Sequence, residues 1–126
     1  MVKRYVAEEG SDTVREAMER AEGWFLCRVA FVETMRAVGL AAGLPATRAL
    51  VEEWPAFGIV ELDQALVEHA GALALDRQLR SIDSIHLAAA LALPAEGLVF
   101  ATWDQRLHTA AGAEGHERLP SSLDDP

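Results

Sequence analysis

The sequence predicts an α/β fold, a small, mainly parallel sheet flanked by helices on both faces. Two observations carry this. Short runs rich in β-branched or apolar residues alternate with helical segments of ten or more residues along the whole chain, and connections of that length join parallel neighbours rather than hairpins. No internal repeat, low-complexity tract or linker interrupts the alternation, and 126 residues suit one domain with a real core better than two. The expectation is a single domain over residues 1–126, with a loose tail from about residue 120.

Taken in order, Ser11, Asp12 and Thr13 are N-cap types, and Thr13 with Glu16 fits a capping box. Val14, Ala17, Met18 and Ala21 then recur at helical spacing until Gly23. Trp24-Phe25-Leu26-Cys27-Arg28-Val29 suits a short buried strand. A helix over 30–42 stops at Gly43, and Pro45 stands near the first turn of another that runs to 54. Ile59-Val60-Glu61-Leu62 is a strand by its β-branched content, and Asp63 caps a helix over 64–75. Residues 82–93 make the most apolar helix, with Pro94 and Gly97 behind it as stop signals. Residues 98–101 form a strand, 104–113 a helix closed by Gly112 or Gly115, and 117–119 a last edge strand.

Composition narrows the class. Hydrophobic residues make up 51% of the chain, yet charge breaks every apolar run well before the ~18 residues needed to cross a bilayer, and no signal-like segment precedes the first charges. A cytoplasmic protein without a membrane segment is expected. The single cysteine, Cys27, excludes an intramolecular disulfide and reads as a small core side chain. A net charge of −9 argues against holding nucleic acid by a broad basic surface. It does not exclude a nuclease, because acidic clusters repel phosphates only until metal ions fill them.

Three acids stand out. Asp83-Ser84-Ile85-His86 opens the apolar run Leu87-Ala88-Ala89-Ala90-Leu91, Val99-Phe100-Ala101-Thr102-Trp103-Asp104 reads as a strand ending in an aspartate, and Glu33 interrupts the apolar stretch from Val29 to Met35. Carboxylates gathered in a mostly apolar α/β domain suit a hard divalent cation, Mg2+ or Mn2+, which takes oxygen ligands. Plainer readings stand beside this one. Asp83 also answers the dipole of its helix, Asp104 serves as an N-cap, and Glu33 faces Arg36 at i+3. Thr102 either orients a metal-bound water or packs as a β-branched strand residue. His86 reads as a buried histidine rather than a ligand, and His69, His108 and His116 as surface or core residues. Trp24, Trp54 and Trp103 read as core or interface anchors rather than base-stacking platforms, and Arg36, Arg80 and Arg106 as a solvated face, or as phosphate contacts where they rim the site.

Four segments in this order resemble one known family. Val2-Lys3-Arg4-Tyr5-Val6 followed by Glu8-Glu9-Gly10-Ser11 looks like the first helix and turn of PIN-domain ribonucleases, in particular the VapC-type toxins of toxin-antitoxin pairs. Val32-Glu33 with Arg36-Ala37 is similar to that family's second acidic position. Asp83-Ser84-Ile85-His86-Leu87-Ala88-Ala89-Ala90 is similar to its third, and Thr102-Trp103-Asp104-Gln105-Arg106-Leu107 to its fourth. The resemblance covers nearly the whole chain. It implies a PIN-like fold and Mg2+- or Mn2+-dependent cleavage of single-stranded RNA, with Glu33, Asp83 and Asp104 as metal ligands and Thr102 beside them. It also implies a small antitoxin protein that covers the site, and a homodimer.

The chain departs from the family at its start. Members usually open on a strand bearing an aspartate and a small hydroxyl residue, just before the segment that reads Met1-Val2-Lys3 here, and Glu8, Glu9 and Asp12 are no obvious substitutes. The expectation is a longer natural protein, or a gap filled by a partner chain or by dimer exchange. Three acids in place of four leave a competing expectation, a catalytically impaired PIN-like binding module that dimerises or binds an antitoxin without cleaving RNA. A phosphatase-like hydrolase would use the same metal and differ only in substrate.

Overall fold

The computed structural model describes residues 1–123, which fall into two compact units, Met1–Val60 and the chain from Glu61 onward. Each unit holds one two-stranded parallel ladder. Among the described residues every strand pairing is thus parallel, as long helical connections require.

The first unit runs α1 (Val2–Tyr5), α2 (Ser11–Arg20), β1 (Phe25–Cys27), α3 (Ala30–Glu53), a 3-10 turn over Trp54–Ala56 and β2 (Gly58–Val60). The capping box expected at Thr13 and Glu16 does not form. Helix α2 begins three residues earlier, at Ser11 behind Gly10 at φ 87°, without a side-chain cap. The Ser11 hydroxyl is occupied instead with the preceding turn, donating to Val6 O at 2.9 Å and accepting from Glu8 N at 3.0 Å. The expected break at Gly43 is present, with φ 74° and ψ −166° interrupting α3 ahead of Pro45. Strand β1 pairs with β2 in the register Phe25↔Gly58, Leu26↔Ile59, Cys27↔Val60. A Cβ on Gly58 would lie 2.6 Å from the Phe25 ring, so glycine here lets an aromatic side chain lie across the neighbouring strand. Val14, Cys27, Ala30, Val38, Leu50 and Phe57 form the core. Trp24 and Trp54 flank Phe57, with ring centroids 5.3 and 5.5 Å away, as anchors should.

The second unit runs α4 (Gln64–Asp76), α5 (Ser81–Leu91), β3 (Val99–Ala101), α6 (Gln105–Ala113) and β4 (Glu117–Leu119). Asp63 caps α4 as expected, accepting from Leu66 N at 2.8 Å. Strand β3 pairs with β4 in the register Val99↔Glu117, Phe100↔Arg118, Ala101↔Leu119. Leu66, Ala70, Leu73, Leu79, Leu87, Ala88, Ala89, Leu107, Ala110 and Ala111 are buried, and the small alanines let α4 and α5 pack closely. Both α4 and α6 end in the same hydrogen-bonded turn. Leu79 N donates to Ala74 O at 3.1 Å after Gln78, at φ 54°, and His116 N donates to Ala111 O at 3.0 Å after Gly115, at φ 92°. Pro120 to Leu123 carry no helix or strand; the rest of the expected tail, residues 124–126, lies outside the described residues.

Candidate functional site

Helix α5 begins after Arg80, its N-cap, which places Asp83 in the first turn. Helix α6 begins after Asp104, whose Oδ1 accepts from Leu107 N at 2.9 Å. Capping thus uses one oxygen of Asp104 and leaves Oδ2 pointing elsewhere. That second oxygen meets Arg80 Nη2 at 3.2 Å, while Arg80 Nε donates to Asp83 Oδ2 at 2.9 Å. Two carboxylates from the starts of two helices, distant in sequence, therefore converge on one guanidinium. The hydrogen bond to Asp83 first, and then the charges of both acids, raise the Arg80 pKa above the ordinary arginine value.

Thr102 lies between β3 and Asp104. Its backbone N–H donates to Leu119 O at 3.0 Å, and its Oγ1 accepts from Asp104 N at 3.2 Å. The hydroxyl oxygen fixes the turn that leads into Asp104.

Glu33 belongs to the first unit, in the first turn of α3, and its side chain is exposed. The sequence stretch around it is apolar, yet the helix start turns Val32 and Glu33 to solvent, so no buried carboxylate has to be explained. Its charge, with that of Glu8, acts on the Met1 ammonium, whose pKa is nevertheless lowered because burial outweighs them.

His86 is half-buried on α5. His69 is exposed, whereas His108 and His116 are core residues. His108 Nε2 lies 2.7 Å from Pro120 O and Nδ1 lies 3.3 Å from Arg118 Nη1. Since a guanidinium only donates, Nδ1 accepts and the proton sits on Nε2. Arg118 reaches this position across Gly112, where a Cβ would stand 2.5 Å from the guanidinium. This link between α6 and β4 has no local sequence signal.

Hard carboxylate oxygens are what Mg2+ and Mn2+ take. In the second unit, two of them already face a positive charge, so the donor set fits a divalent ion in kind. It is small in number, for among the described residues of either unit no group of three or more His, Cys, Asp or Glu side chains is gathered to hold a metal. Both aspartates stand out in the sequence, whereas Arg80, expected on a solvated face, is exposed and yet bridges them. Its spacing three before Asp83 was the available signal.

Comparison with known proteins gives a consistent result. The PIN domain family matches residues 4–113. Ribonuclease VapC45 and Ribonuclease VapC49, from the CDC 1551 and H37Rv strains of Mycobacterium tuberculosis, are each 36% identical to the chain over 132 residues. Each alignment covers 98% of this chain and 92% of the relative. No solved structure matches at a significant level.

Proposed function

Because the chain belongs to the PIN-domain family, among the VapC-type toxins, we propose that it is a metal-dependent endoribonuclease that acts as the toxin of a toxin-antitoxin pair. The observation that carries the chemistry is the convergence of Asp83 and Asp104 on a single cation. The family match runs through both compact units, which supports reading residues 1–126 as one PIN-like domain.

In this reading Asp83 and Asp104 would hold Mg2+ or Mn2+, and Glu33 enters through the family pattern, as its second acidic position. The chemistry such an ion would supply when bound is a lowered water pKa and neutralisation of charge on the scissile phosphate. The capping bond to Leu107 N keeps Asp104 in one rotamer, so its outer oxygen is pre-aimed. Thr102, whose hydroxyl accepts from Asp104 N at 3.2 Å, would sit beside that ion with a donor to orient a water. None of these side chains needs to become a nucleophile.

Single-stranded RNA is the proposed substrate and a small antitoxin the proposed protein partner. A net charge of −9 favours a basic segment on that partner. A homodimer is proposed as well. It is supported by the exposed apolar side chains Val32, Leu40, Leu44 and Val51 along α3, a kind of surface that association commonly covers. No described helix is long and apolar enough to cross a membrane.

Cleavage of a labelled single-stranded RNA with Mn2+ or Mg2+, and with chelator, tests the reading. Asp83→Asn and Asp104→Asn should each lower the rate by about a hundredfold or more. Asp83→Asn should leave the melting temperature nearly unchanged, whereas Asp104→Asn retains a capping oxygen and should melt within a few degrees of the parent. Glu33→Gln in the same assay tests the third acid. Cleavage by Asp83→Asn at the parental rate would sink the site assignment, and metal-independent cleavage would sink the mechanism.

A further inference from the structure

Arg80 is anchored at its backbone and held loosely at its tip. Its carbonyl accepts from Ser84 N at 3.0 Å in the first turn of α5, so its Cα keeps a set distance from Asp83. The side chain is 72% exposed, and its hydrogen bonds are those to the Oδ2 atoms of Asp83 and Asp104. Exposed ion pairs of this kind are weak and screened by salt. They are also made to the same two oxygens that the proposed metal would take.

We propose that Arg80 is the resident counter-ion of the metal-free site, that a divalent ion displaces its guanidinium from Asp83 and Asp104, and that the displaced guanidinium then takes an RNA phosphate. The inference rests on the metal-dependent reading above and adds a residue to it. A doubly charged hard ion outcompetes a delocalised single charge for two carboxylates. Once displaced, the guanidinium cannot leave, because Arg80 is the N-cap of α5. It stays within a side chain's length of the acids, with its planar fork of donors open. The substrate group that matches such a fork is a phosphate, which it binds bidentately. Metal binding and RNA binding would then be coupled through one side chain, since an RNA phosphate gains this arginine only after the acids have given it up.

The test is calorimetric Mn2+ titration of the full chain, of Arg80→Gln and of Arg106→Gln. The last removes a nearby charge that bonds Gln78 O at 3.2 Å instead of the acids. Arg80→Gln should bind Mn2+ about two- to tenfold more tightly than the parent, the gain expected from deleting two exposed pairs, and Arg106→Gln should not. A second reading is RNA affinity, by fluorescence anisotropy of a labelled single-stranded RNA before cleavage. Arg80→Gln should match the parent without metal and bind several-fold more weakly with saturating Mn2+. Equal Mn2+ affinity in Arg80→Gln and the parent would overturn the proposal, as would an equal gain in Arg106→Gln or a loss of RNA affinity that is the same with and without metal. If the parent binds Mn2+ and cuts RNA while any of these holds, the Arg80 inference alone falls. If neither the parent nor Arg80→Gln binds Mn2+, the metal reading falls with it.

Discussion

Arg4 and Arg80 each spend two guanidinium nitrogens on carboxylate oxygens, yet their surroundings differ. Arg4 grips both oxygens of one residue, Glu53, at 2.5 and 2.7 Å, and Tyr5 OH donates to the same carboxylate at 2.5 Å. Its guanidinium also lies over the Trp24 ring, 4.8 Å from the centroid. Arg80 straddles two residues on two helices and has solvent over most of its surface. The difference teaches that a carboxylate-arginine pair is not a role in itself. Packed against an aromatic ring and a phenol, it clamps α1 to the end of α3; exposed between the two acids of the proposed site, it is the bridge proposed to open.

The largest effect expected from this contrast is on stability. Arg4→Ala removes a bidentate pair, a ring contact and a bond to Met18 Sδ, and strands a carboxylate beside a phenol. It should cost about 2 kcal/mol in chemical denaturation. Arg80→Gln, with nothing packed on it, should melt within about a degree of the parent. Equal losses would erase the distinction between clamp and bridge.

The clamp should also show in the pH dependence of stability. The Arg4 hydrogen bonds hold the Glu53 carboxyl below its ordinary 4.5. Its contribution is therefore present above that value and is lost as the pH falls through the folded pKa, because the unfolded carboxyl takes up its proton first. Burial, and then the hydrogen bond to Glu53, push the Tyr5 phenol above its ordinary 10.0. That contribution is complete below pH 10 and declines above it, since the unfolded phenol ionises while the folded one keeps its proton. Tyr5→Phe should cost about 1 kcal/mol at neutral pH and flatten the alkaline decline in urea titrations. An alkaline decline as steep as the parent's would place its origin elsewhere.

The smallest effect concerns the loop that carries Arg80. Gln78 adopts the left-handed conformation that Gly115 supplies at the end of α6, and Gln78→Gly should stabilise the chain by about 0.5–1 kcal/mol. Mn2+ affinity should stay unchanged if the bridge is a matter of the Arg80 side chain. A shift in that affinity would make the loop backbone part of the device.

Much of the fold was legible because its signals are local. Asp63 and Asp104 cap their helices through bonds three residues ahead, and the break at Gly43 and the stop at Gly115 lie where glycine permits a positive φ. The capping box at Thr13 and Glu16 failed because a competing local solution was available, in which Gly10 enters the left-handed region and Ser11 bonds backwards. The site was half legible. Asp83 and Asp104 stood out by position, but nothing in periodicity says that two residues far apart in sequence share a guanidinium, or that Glu33 turns outward from an apolar stretch.

The sequence by itself determined the order and type of the elements, the parallel pairing that follows from long connections, the membership of the family and the identity of the acids. These depend on spacing over a few residues, where backbone geometry couples neighbours directly. The tertiary structure decided which distant groups meet: Arg4 with Glu53, Arg118 with His108, and Arg80 with both aspartates. Such contacts form only when packing of the elements brings their ends together, and many sequences with the same local pattern would pair those ends differently.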